Sequence, residues 1–384
     1  MQKNKRMEEF PLLDSSKGIP LFLPKISDSG ISSVTETLNT RWIGQGPKVD
    51  KFEKVFKKKF LKNKLEALAV GSGTDALHLA YLLADIKRGD EVLAPVFTCT
   101  ATNLPLLYIG AKPVFLDIDP ITMNINLDNI EKKITKKTKA IVCVDYGGVP
   151  NDFSKLLKIC KKYKLKLISD AAHSLGSKYL GKYACTYADF TTFSFQAIKT
   201  LTTGDGGMLV IKNKKLFEKA KRLRWFGIDR SKKQLGIWEN DVRELGYKYQ
   251  MNDIAASLGL AGLKEIDSII KKRILLFKEY EKNLNHENIS IIGKSRTSKY
   301  INCPWLITII VKKEKKKLMK KLRKHGIESS QVHYRNDRYS VFGKRLKNLY
   351  HMDSIENQYL VLPLYPQMTL ADVKRICKVI NSGW

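Results

Sequence analysis

The sequence has no apolar run that approaches the roughly 18 residues of a membrane-spanning helix. Its first ten residues are too polar for a secretory signal peptide. These two absences argue against a membrane or exported protein, and we expect a soluble, cytoplasmic chain with no membrane partner. The chain has 384 residues, of which 43% are hydrophobic. On a prior of ~150 residues per domain this length predicts two or three packed domains.

Cysteines are few and show no spacing pattern. The six cysteines are scattered along the chain, and no two of them form a C-x-x-C pair. Disulfide frameworks belong to short secreted chains, and zinc sites need clustered ligands. The sequence therefore predicts reduced structural thiols and no metal site.

Acidic residues are scarce beside basic ones, with 38 Asp and Glu against 69 Lys and Arg and a net charge of +31. Such an excess raises nucleic acid as a partner. However, the lysines stand in short runs along the whole chain, without a zinc-finger spacing or an aromatic-studded RNA motif. We therefore expect solvated lysine-rich faces and no nucleic-acid partner. The positive field would still favour a polyanionic small molecule such as a nucleotide diphosphate.

Short apolar runs alternate with amphipathic stretches from residue 64 to residue 212. The predicted strands are Ala67–Gly71, Glu91–Val96, Pro113–Asp117, Ala140–Asp145, Lys166–Asp170, Asp189–Ser194 and Gly207–Ile211. The predicted helices between them are Thr74–Ala84, Ala101–Tyr108, Asn126–Ile134 and Asp152–Tyr163. This alternation predicts an α/β fold with a mixed, mostly parallel sheet flanked by helices. Ligands of such sheets lie at the carboxyl ends of the strands.

The C-terminal part predicts a smaller α+β domain. Helical character dominates from Asn213 to about Lys282. The predicted elements after it are strands at His286–Gly293 and Trp305–Val311, helices at Glu314–His325 and Ala371–Asn381, and an extended Ser329–Tyr334. We predict a polar N-terminal extension at residues 1–18, a large domain at 19–265 and a small C-terminal domain at 266–384.

The segment Gly71-Ser72-Gly73-Thr74-Asp75 follows a predicted strand and opens a helix. Small residues let the backbone approach a ligand, and free N–H groups at a helix N-terminus attract anions. The segment is neither a Walker A loop nor a G-x-G-x-x-G motif. A plain capped strand–helix turn explains it equally well, so both interpretations stay open.

Two further residues stand in settings that suit chemistry. Asp170 lies at the end of a predicted buried strand, where a carboxylate is costly without a partner. It could hold a cation, or it could cap the next segment. Lys199 is isolated among apolar and small residues, where desolvation would lower its pKa and make it a nucleophile. A snorkelling surface lysine is the alternative.

The three features together are more specific than any one of them. An anion cradle, an acid at a strand end and an isolated lysine 29 positions later are what pyridoxal 5'-phosphate requires. The cradle would take the phosphate, the acid would hold the pyridinium proton, and the lysine would bond the cofactor aldehyde.

The motifs and their order resemble the DegT/DnrJ/EryC1/StrS sugar aminotransferase family, within the aspartate aminotransferase superfamily of fold type I. The resemblance runs from Ile19 nearly to the C-terminus. It includes Gly89-Asp90-Glu91-Val92, Gly110-Ala111-Lys112-Pro113-Val114-Phe115, Arg224-Trp225-Phe226-Gly227 and the stretch from Gly246 to Ala256.

This resemblance implies transfer of an amino group from glutamate to a nucleotide-linked keto-deoxysugar, with pyridoxamine phosphate as an intermediate. Such enzymes serve amino sugar biosynthesis for glycans such as the O-antigen of lipopolysaccharide. The run Leu201–Met208 looks closer to perosamine- and viosamine-type enzymes that act at C4. A C3 aminotransferase and a non-catalytic regulatory relative are the alternatives. Lys199 stands where related dehydratases carry His, which argues against that branch.

The resemblance also assigns roles around the cofactor ring. Lys199 matches the lysine that bonds the cofactor and shuttles the proton of the reacting carbon. Asp170 matches the acid that keeps the ring nitrogen protonated. Ala172 would pack on one ring face, and His173 stands where relatives have Gln or His beside the 3-hydroxyl.

Other matched positions concern the phosphate and a second subunit. Gly73, Thr74 and Ser194 match phosphate ligands. Asn252 resembles an asparagine that reaches the phosphate of the neighbouring subunit's cofactor. The resemblance therefore implies a homodimer with shared active sites.

The match to the family pattern is less regular at Cys99 and at His333 and Tyr334. Many relatives carry a ring-stacking aromatic where this chain has Cys99, so ring stacking is expected to be weaker or to depend on the placement of Phe97. His333 and Tyr334 resemble the region that lines the sugar pocket in relatives. A surface loop is the alternative there.

Overall fold

The computed structural model describes residues 12–230, 236–237, 241–242, 244–294 and 299–384. Residues 1–11 of the predicted N-terminal extension lie outside the described residues. The strands are β1 (Glu66–Val70), β2 (Glu91–Pro95), β3 (Phe97–Thr98), β4 (Lys112–Leu116), β5 (Thr138–Val144), β6 (Lys166–Asp170), β7 (Lys178–Tyr179), β8 (Lys182–Tyr183), β9 (Phe190–Ser194), β10 (Gly207–Ile211), β11 (Ile289–Ile291), β12 (Tyr300–Ile301), β13 (Ile307–Val311), β14 (Tyr334–Arg335) and β15 (Tyr359–Leu362). The helices are α1 (Asp28–Leu38), α2 (Pro47–Phe60), α3 (Gly73–Leu83), α4 (Thr100–Tyr108), α5 (Phe153–Tyr163), α6 (Phe217–Arg224), α7 (Asp253–Asn283), α8 (Lys315–Lys324), α9 (Tyr350–Ile355) and α10 (Leu370–Asn381).

The central sheet has the strand order β1-β10-β9-β6-β5-β2-β4. The pairs from β9 through β6, β5 and β2 to β4 are parallel. Strand β10 is antiparallel to both β9 and β1. The predicted mixed, mostly parallel sheet is therefore confirmed, and each of its seven strands overlaps a predicted one. The shared direction of β5, β6 and β9 brings their carboxyl ends to one edge of the sheet.

The sheet forms because its strands are apolar on both faces and helices cover them. Strand β10 is buried along its whole length, as strands covered on both faces usually are. Helix α5 places its apolar residues, among them Phe153, Leu156 and Ile159, against the sheet. Its first turn is capped by Asp152, whose side chain accepts a hydrogen bond from the N–H of Lys155.

One predicted helix is wrong. Asn126–Ile134 holds only a short 3₁₀ turn at Ile130–Lys133. The Asn126 side chain accepts a hydrogen bond from the Asp128 N–H, and Asn129 adopts a left-handed conformation with φ of 61°. Such local turns of Asn and Asp compete with helix formation and override the amphipathic spacing.

The C-terminal part packs onto the long helix α7. This helix contacts α1, α2 and α10. Strands β11, β13 and β15 form an antiparallel sheet beside it, and β15 was not among the predicted elements. The predicted domain boundary at residue 266 falls inside α7. The division into domains stays a prediction. Within the described residues, no helix has the length and apolarity that crossing a membrane demands.

Candidate active site

Asp170 ends β6 at the carboxyl edge of the sheet and is buried, with 5% of its surface exposed. Its Oδ2 accepts a hydrogen bond of 2.7 Å from the Thr102 hydroxyl, and its Oδ1 accepts one of 3.1 Å from the Ala172 N–H. Burial raises the pKa of Asp170, and these two donors together with the charge of Lys199 oppose that rise. The carboxylate is thus held by donors on both oxygens.

The N-terminus of α3 lies against the end of β9. Ser72 caps this helix, and its side chain accepts the Asp75 N–H at 3.0 Å. A side chain on Gly73 would place its Cβ 2.9 Å from the Cβ of Ser194, so only glycine allows this approach. The first N–H groups of a helix have no partner inside it. Gly73, Thr74 and Ser194 therefore form one small, polar cradle with donors for an anion.

Lys199 follows β9 in a loop and is partly buried. Its Nζ lies 3.5 Å from the centroid of the Trp305 ring, and the Trp305 Nε1 donates to the backbone oxygen of Ile198 at 2.8 Å. Burial lowers the pKa of Lys199 to about 8, although the charge of Asp170 opposes the fall. The amine is therefore an accessible base near neutral pH, which fits the nucleophilic alternative better than a snorkelling surface lysine.

Two histidines complete the surroundings of the amine. The His173 ring stacks on Trp305 at 4.1 Å and lies parallel to the His333 ring at 5.3 Å. The two Nε2 atoms are 3.4 Å apart. Burial first, and then the charge of Lys199, lowers the pKa of His173 well below its ordinary value and that of His333 to about 3. Both rings are therefore neutral at physiological pH.

The structure brings most of the predicted residues together at this edge. Sheet register pairs Asp170 with Thr192, two positions before Ser194. Ala172 and His173 follow Asp170 directly, and His333 reaches His173 from the C-terminal part. Trp305 and Thr102 were missed by the sequence reasoning. Trp305 is the first residue of the predicted strand Trp305–Val311 and has no motif around it, so only the folded chain reveals its place at the site.

Two predicted residues stand apart from the cluster around Lys199. Tyr334 pairs with Thr98 in the short β14–β3 ladder. The Arg338 Cζ lies over the Tyr334 ring, 4.5 Å from its centroid. Asn252 is exposed and caps α7, with its Oδ1 accepting the Ala255 N–H at 2.8 Å. Within one described chain, we find no contact between Asn252 and the Lys199 cluster. Its predicted role across a subunit interface stays a prediction.

The irregular position Cys99 is exposed and begins α4 as its N-cap. Its neighbour Phe97 is buried and packs edge-on against Tyr146 and Tyr359, with ring centroids 5.1 Å apart in each pair. Phe97 therefore serves the core. The aromatic ring beside Lys199 is Trp305.

These residues fit pyridoxal phosphate in three separate respects. The Gly73–Ser194 approach leaves a cradle that a side chain at Gly73 would fill, which suits a phosphate. The buried Asp170 suits a protonated ring nitrogen, and Lys199 supplies an amine with a lowered pKa. The set therefore matches the phosphate, the ring and the aldehyde of the cofactor.

Comparisons with known proteins agree over nearly the whole chain. The model of the DegT/DnrJ/EryC1/StrS aminotransferase family matches residues 24–381. The chain is 34% identical over 371 residues to GDP-perosamine synthase of Escherichia coli O157:H7, which covers 95% of this chain and 98% of that protein. It is 35% identical over 367 residues to UDP-4-amino-4,6-dideoxy-N-acetyl-beta-L-altrosamine transaminase of Campylobacter jejuni, covering 93% and 95%.

Solved structures are similar as well. The Streptococcus pneumoniae protein Spr1654, assigned as a sugar aminotransferase, has been solved in its PLP and PMP forms. The PLP form superposes with a TM-score of 0.89 at 27% identity, covering 95% of this chain and 98% of that chain. The PMP form gives the same score and covers 97% of that chain.

Proposed function

Because the chain belongs to the DegT/DnrJ/EryC1/StrS aminotransferase family, we propose that it moves an amino group from glutamate to C4 of a nucleotide-linked 4-keto-6-deoxyhexose. Family membership confirms three predictions from the sequence: fold type I, pyridoxal phosphate as cofactor, and sugar aminotransferase activity. The position of amination, the amino donor, the site roles, the shared dimer and the cytoplasmic location belong to the proposal.

The electrostatic interaction between the Lys199 amine and the Asp170 carboxylate carries the proposal. Lys199 and Asp170 interact electrostatically at the carboxyl edge of the sheet, and the Gly73–Ser194 cradle lies at the same edge. A non-catalytic relative would have no need to keep a buried carboxylate beside an amine of lowered pKa, because both cost stability. This pair therefore favours an enzyme.

When bound, pyridoxal phosphate supplies an aldehyde that exchanges amines and a ring that accepts electrons. Gly73, Thr74 and Ser194 would bind its phosphate through N–H and hydroxyl donors. Asp170 would hold the proton on its ring nitrogen. His173 would lie beside its 3-hydroxyl.

Lys199 would then do the proton chemistry. With a pKa of about 8, its Nζ carries a large neutral fraction near pH 7.5 and can take the proton from Cα of the donor amino acid. The ammonium so formed would deliver that proton on the cofactor side. In the return half-reaction Nζ would take a proton from the cofactor side and give it to C4 of the sugar. The Trp305 ring, 3.5 Å from Nζ, restricts the directions that the amine can take.

The names of the relatives support C4. GDP-perosamine synthase and the altrosamine transaminase are the relatives described above, and the second name places the amino group at position 4. The first name refers to a GDP-linked sugar and the second to a UDP-linked sugar. The nucleotide is therefore the part of the substrate that an experiment must identify.

A second subunit is part of the proposal. Asn252 is exposed at the start of α7, so its side chain can reach a neighbouring chain. We assign it to the phosphate of the partner's cofactor on the family resemblance. The active unit would then be a homodimer in which each site uses residues of both chains.

One experiment separates the substrates. The purified protein, loaded with pyridoxal phosphate, is incubated with glutamate and in turn with GDP-, UDP- and dTDP-linked 4-keto-6-deoxyhexoses and with a 3-keto isomer. Mass spectrometry detects the amino sugar, and NMR locates the new nitrogen. We expect amination at C4 of at least one 4-keto sugar, and none with Lys199→Ala. Amination of the 3-keto sugar alone would contradict the proposal.

A further inference from the structure

Two buried threonine hydroxyls form a chain that ends on Asp170. The Thr102 Oγ1 lies 2.7 Å from Asp170 Oδ2, and the Thr98 Oγ1 lies 2.8 Å from the Thr102 Oγ1. Thr102 has no exposed surface, and Thr98 has 2%. Solvent therefore cannot replace either hydroxyl, and the carboxylate depends on this chain for the donor to its Oδ2.

The direction of the hydrogen bonds follows from the chemistry of the groups. An ionised carboxylate can only accept, so the Thr102 hydroxyl donates to Asp170. The single proton of that hydroxyl is then in use, and the Thr98 hydroxyl must donate to the Thr102 oxygen. Aligned donors of this kind polarise one another and strengthen the last bond, which here falls on a charge.

The backbone that carries the hydroxyls is fixed by the C-terminal part of the chain. Strand β3, which contains Thr98, pairs with β14. The Asn336 Nδ2 donates to the Thr98 backbone oxygen at 2.8 Å, and Asn103 Nδ2 donates to the Asn336 Oδ1 at 2.9 Å. Both asparagines are fully buried. The hydroxyl pair is therefore held in place from two sides.

The other groups that face Asp170 explain why a donor matters there. Lys199 is the cation that favours the charge of Asp170. Asp145 and Cys143, from the neighbouring β5 region, and Tyr81, from α3, also interact with Asp170, and its negative charge raises the pKa of each. Burial also disfavours the ionised form of Asp170. Ionised Asp170 thus has few favourable partners, and the Thr102 hydroxyl is one of them.

We propose that Thr102, supported by Thr98, is a positioning residue that keeps Asp170 ionised and in one orientation for its work on the cofactor ring. The inference rests on the proposed function, because Asp170 is assigned there to the ring nitrogen. Thr102 itself touches the carboxylate and acts only through it.

The test compares three substitutions in α4 of the full-length protein. Thr102→Val keeps the shape and removes the hydroxyl, whereas Thr102→Ser keeps the hydroxyl and removes the methyl group. Thr100→Val makes the same chemical change two residues earlier, at a partly exposed position. Each variant is assayed in the glutamate half-reaction from pH 5.5 to 9. The titration of Asp170 is also followed by NMR in apoprotein labelled at the aspartate carboxyl carbon, with Asp170→Asn identifying the signal.

We expect Thr102→Val to lower the half-reaction rate about tenfold at the acid end, since a hydrogen bond to a charged group is lost. The loss should shrink as pH rises, because a raised pKa of Asp170 leaves more of it protonated at low pH. The Asp170 signal should titrate at higher pH. Thr102→Ser and Thr100→Val should behave like the wild type in both measurements.

Two results would overturn the inference. One is an Asp170 titration that Thr102→Val leaves unchanged. The other is an equal loss in Thr102→Val and Thr102→Ser at every pH, which would mean that the side chain only fills space. If Thr102→Val does not fold, Thr98→Val must move the titration in the same direction by a smaller amount. The NMR titration needs no substrate, so it decides the inference even if the wild type fails to transaminate.

Discussion

Replacing Lys199 with methionine should stabilise the apoprotein at neutral pH while it abolishes the proposed reaction. Burial lowers the pKa of Lys199 from 10.5 to about 8, so the folded protein disfavours the ammonium that the unfolded chain carries freely. Methionine has a similar length, carries no charge and packs well against aromatic rings such as Trp305. Lys199→Met therefore removes the cost of burying the ammonium and keeps the packing against the Trp305 ring.

The size of the effect follows from two opposing terms. A pKa lowered from 10.5 to about 8 corresponds to about 3 kcal/mol at ~1.4 kcal/mol per unit. The ammonium gains back up to about 2 kcal/mol from the face of the Trp305 ring, 3.5 Å from its centroid. We expect a net gain in the free energy of unfolding of about 1 to 3 kcal/mol for Lys199→Met at pH 7.

The sign of the pH dependence is fixed by the direction of the shift. Below pH 8 the lysine is charged in both the folded and the unfolded state, so the folded wild type bears the full cost of burying the ammonium. Between pH 8 and about 10.5 the unfolded chain binds more protons than the folded one, and the stability of the wild type rises with pH. The advantage of Lys199→Met should therefore be largest below pH 8 and vanish above pH 10.5.

Thermal unfolding of both apoproteins across this pH range is the assay, read as the difference in Tm. The exposed Lys182 gives a matched control, and Lys182→Met should change Tm little at any pH. The reasoning is refuted if Lys199→Met is less stable than the wild type at pH 7. A Tm difference that stays constant from pH 7 to 10.5 would refute it equally.

Other predictions concern the cofactor site. Asp170→Asn should slow the glutamate half-reaction about a hundredfold with little change in Tm, because an amide cannot stabilise a protonated ring nitrogen; a near-wild-type rate would leave the carboxylate as a cap only. Gly73→Ala should weaken pyridoxal phosphate binding at least tenfold, measured by equilibrium dialysis, because its Cβ would press on Ser194. Unchanged affinity would show that the Gly73–Ser194 cradle does not bind the cofactor. Mixing Asn252→Ala with Lys199→Ala chains should give more activity than either parent, since one site of the heterodimer is intact. If the chains are shown to exchange and no activity returns, although Asn252→Ala alone is impaired, the proposal that the sites are shared between subunits is contradicted.

Local patterns predicted the elements and residues whose signals lie within a few positions. The strands that end at Asp170 and at Ser194 are short, rich in apolar or β-branched residues and bounded by polar residues, so their ends could be located from the sequence. The turn into α3 carries its glycine and its cap side by side. Since the carboxyl ends of parallel strands meet, these local features were enough to predict where the site forms.

Contacts made over long sequence distances could not be predicted in this way. Trp305 comes to lie against Lys199 although 106 positions separate them, and Asn336 reaches Thr98 from the C-terminal part. Thr102 is one threonine among many, and only its 2.7 Å bond marks it. The helix predicted at Asn126–Ile134 failed for the opposite reason, because hydrogen bonds of Asn side chains outweighed a regular apolar spacing.

The most direct test of the central claim is the identity of the lysine that bonds the cofactor. The protein is loaded with pyridoxal phosphate, reduced with sodium borohydride, digested, and mapped by mass spectrometry. We predict one stable cofactor adduct, on Lys199, because its amine combines partial burial, a pKa of about 8 and the neighbouring Asp170. An adduct on another lysine, or none at all, would contradict the assignment of Lys199 as the residue around which the site is built.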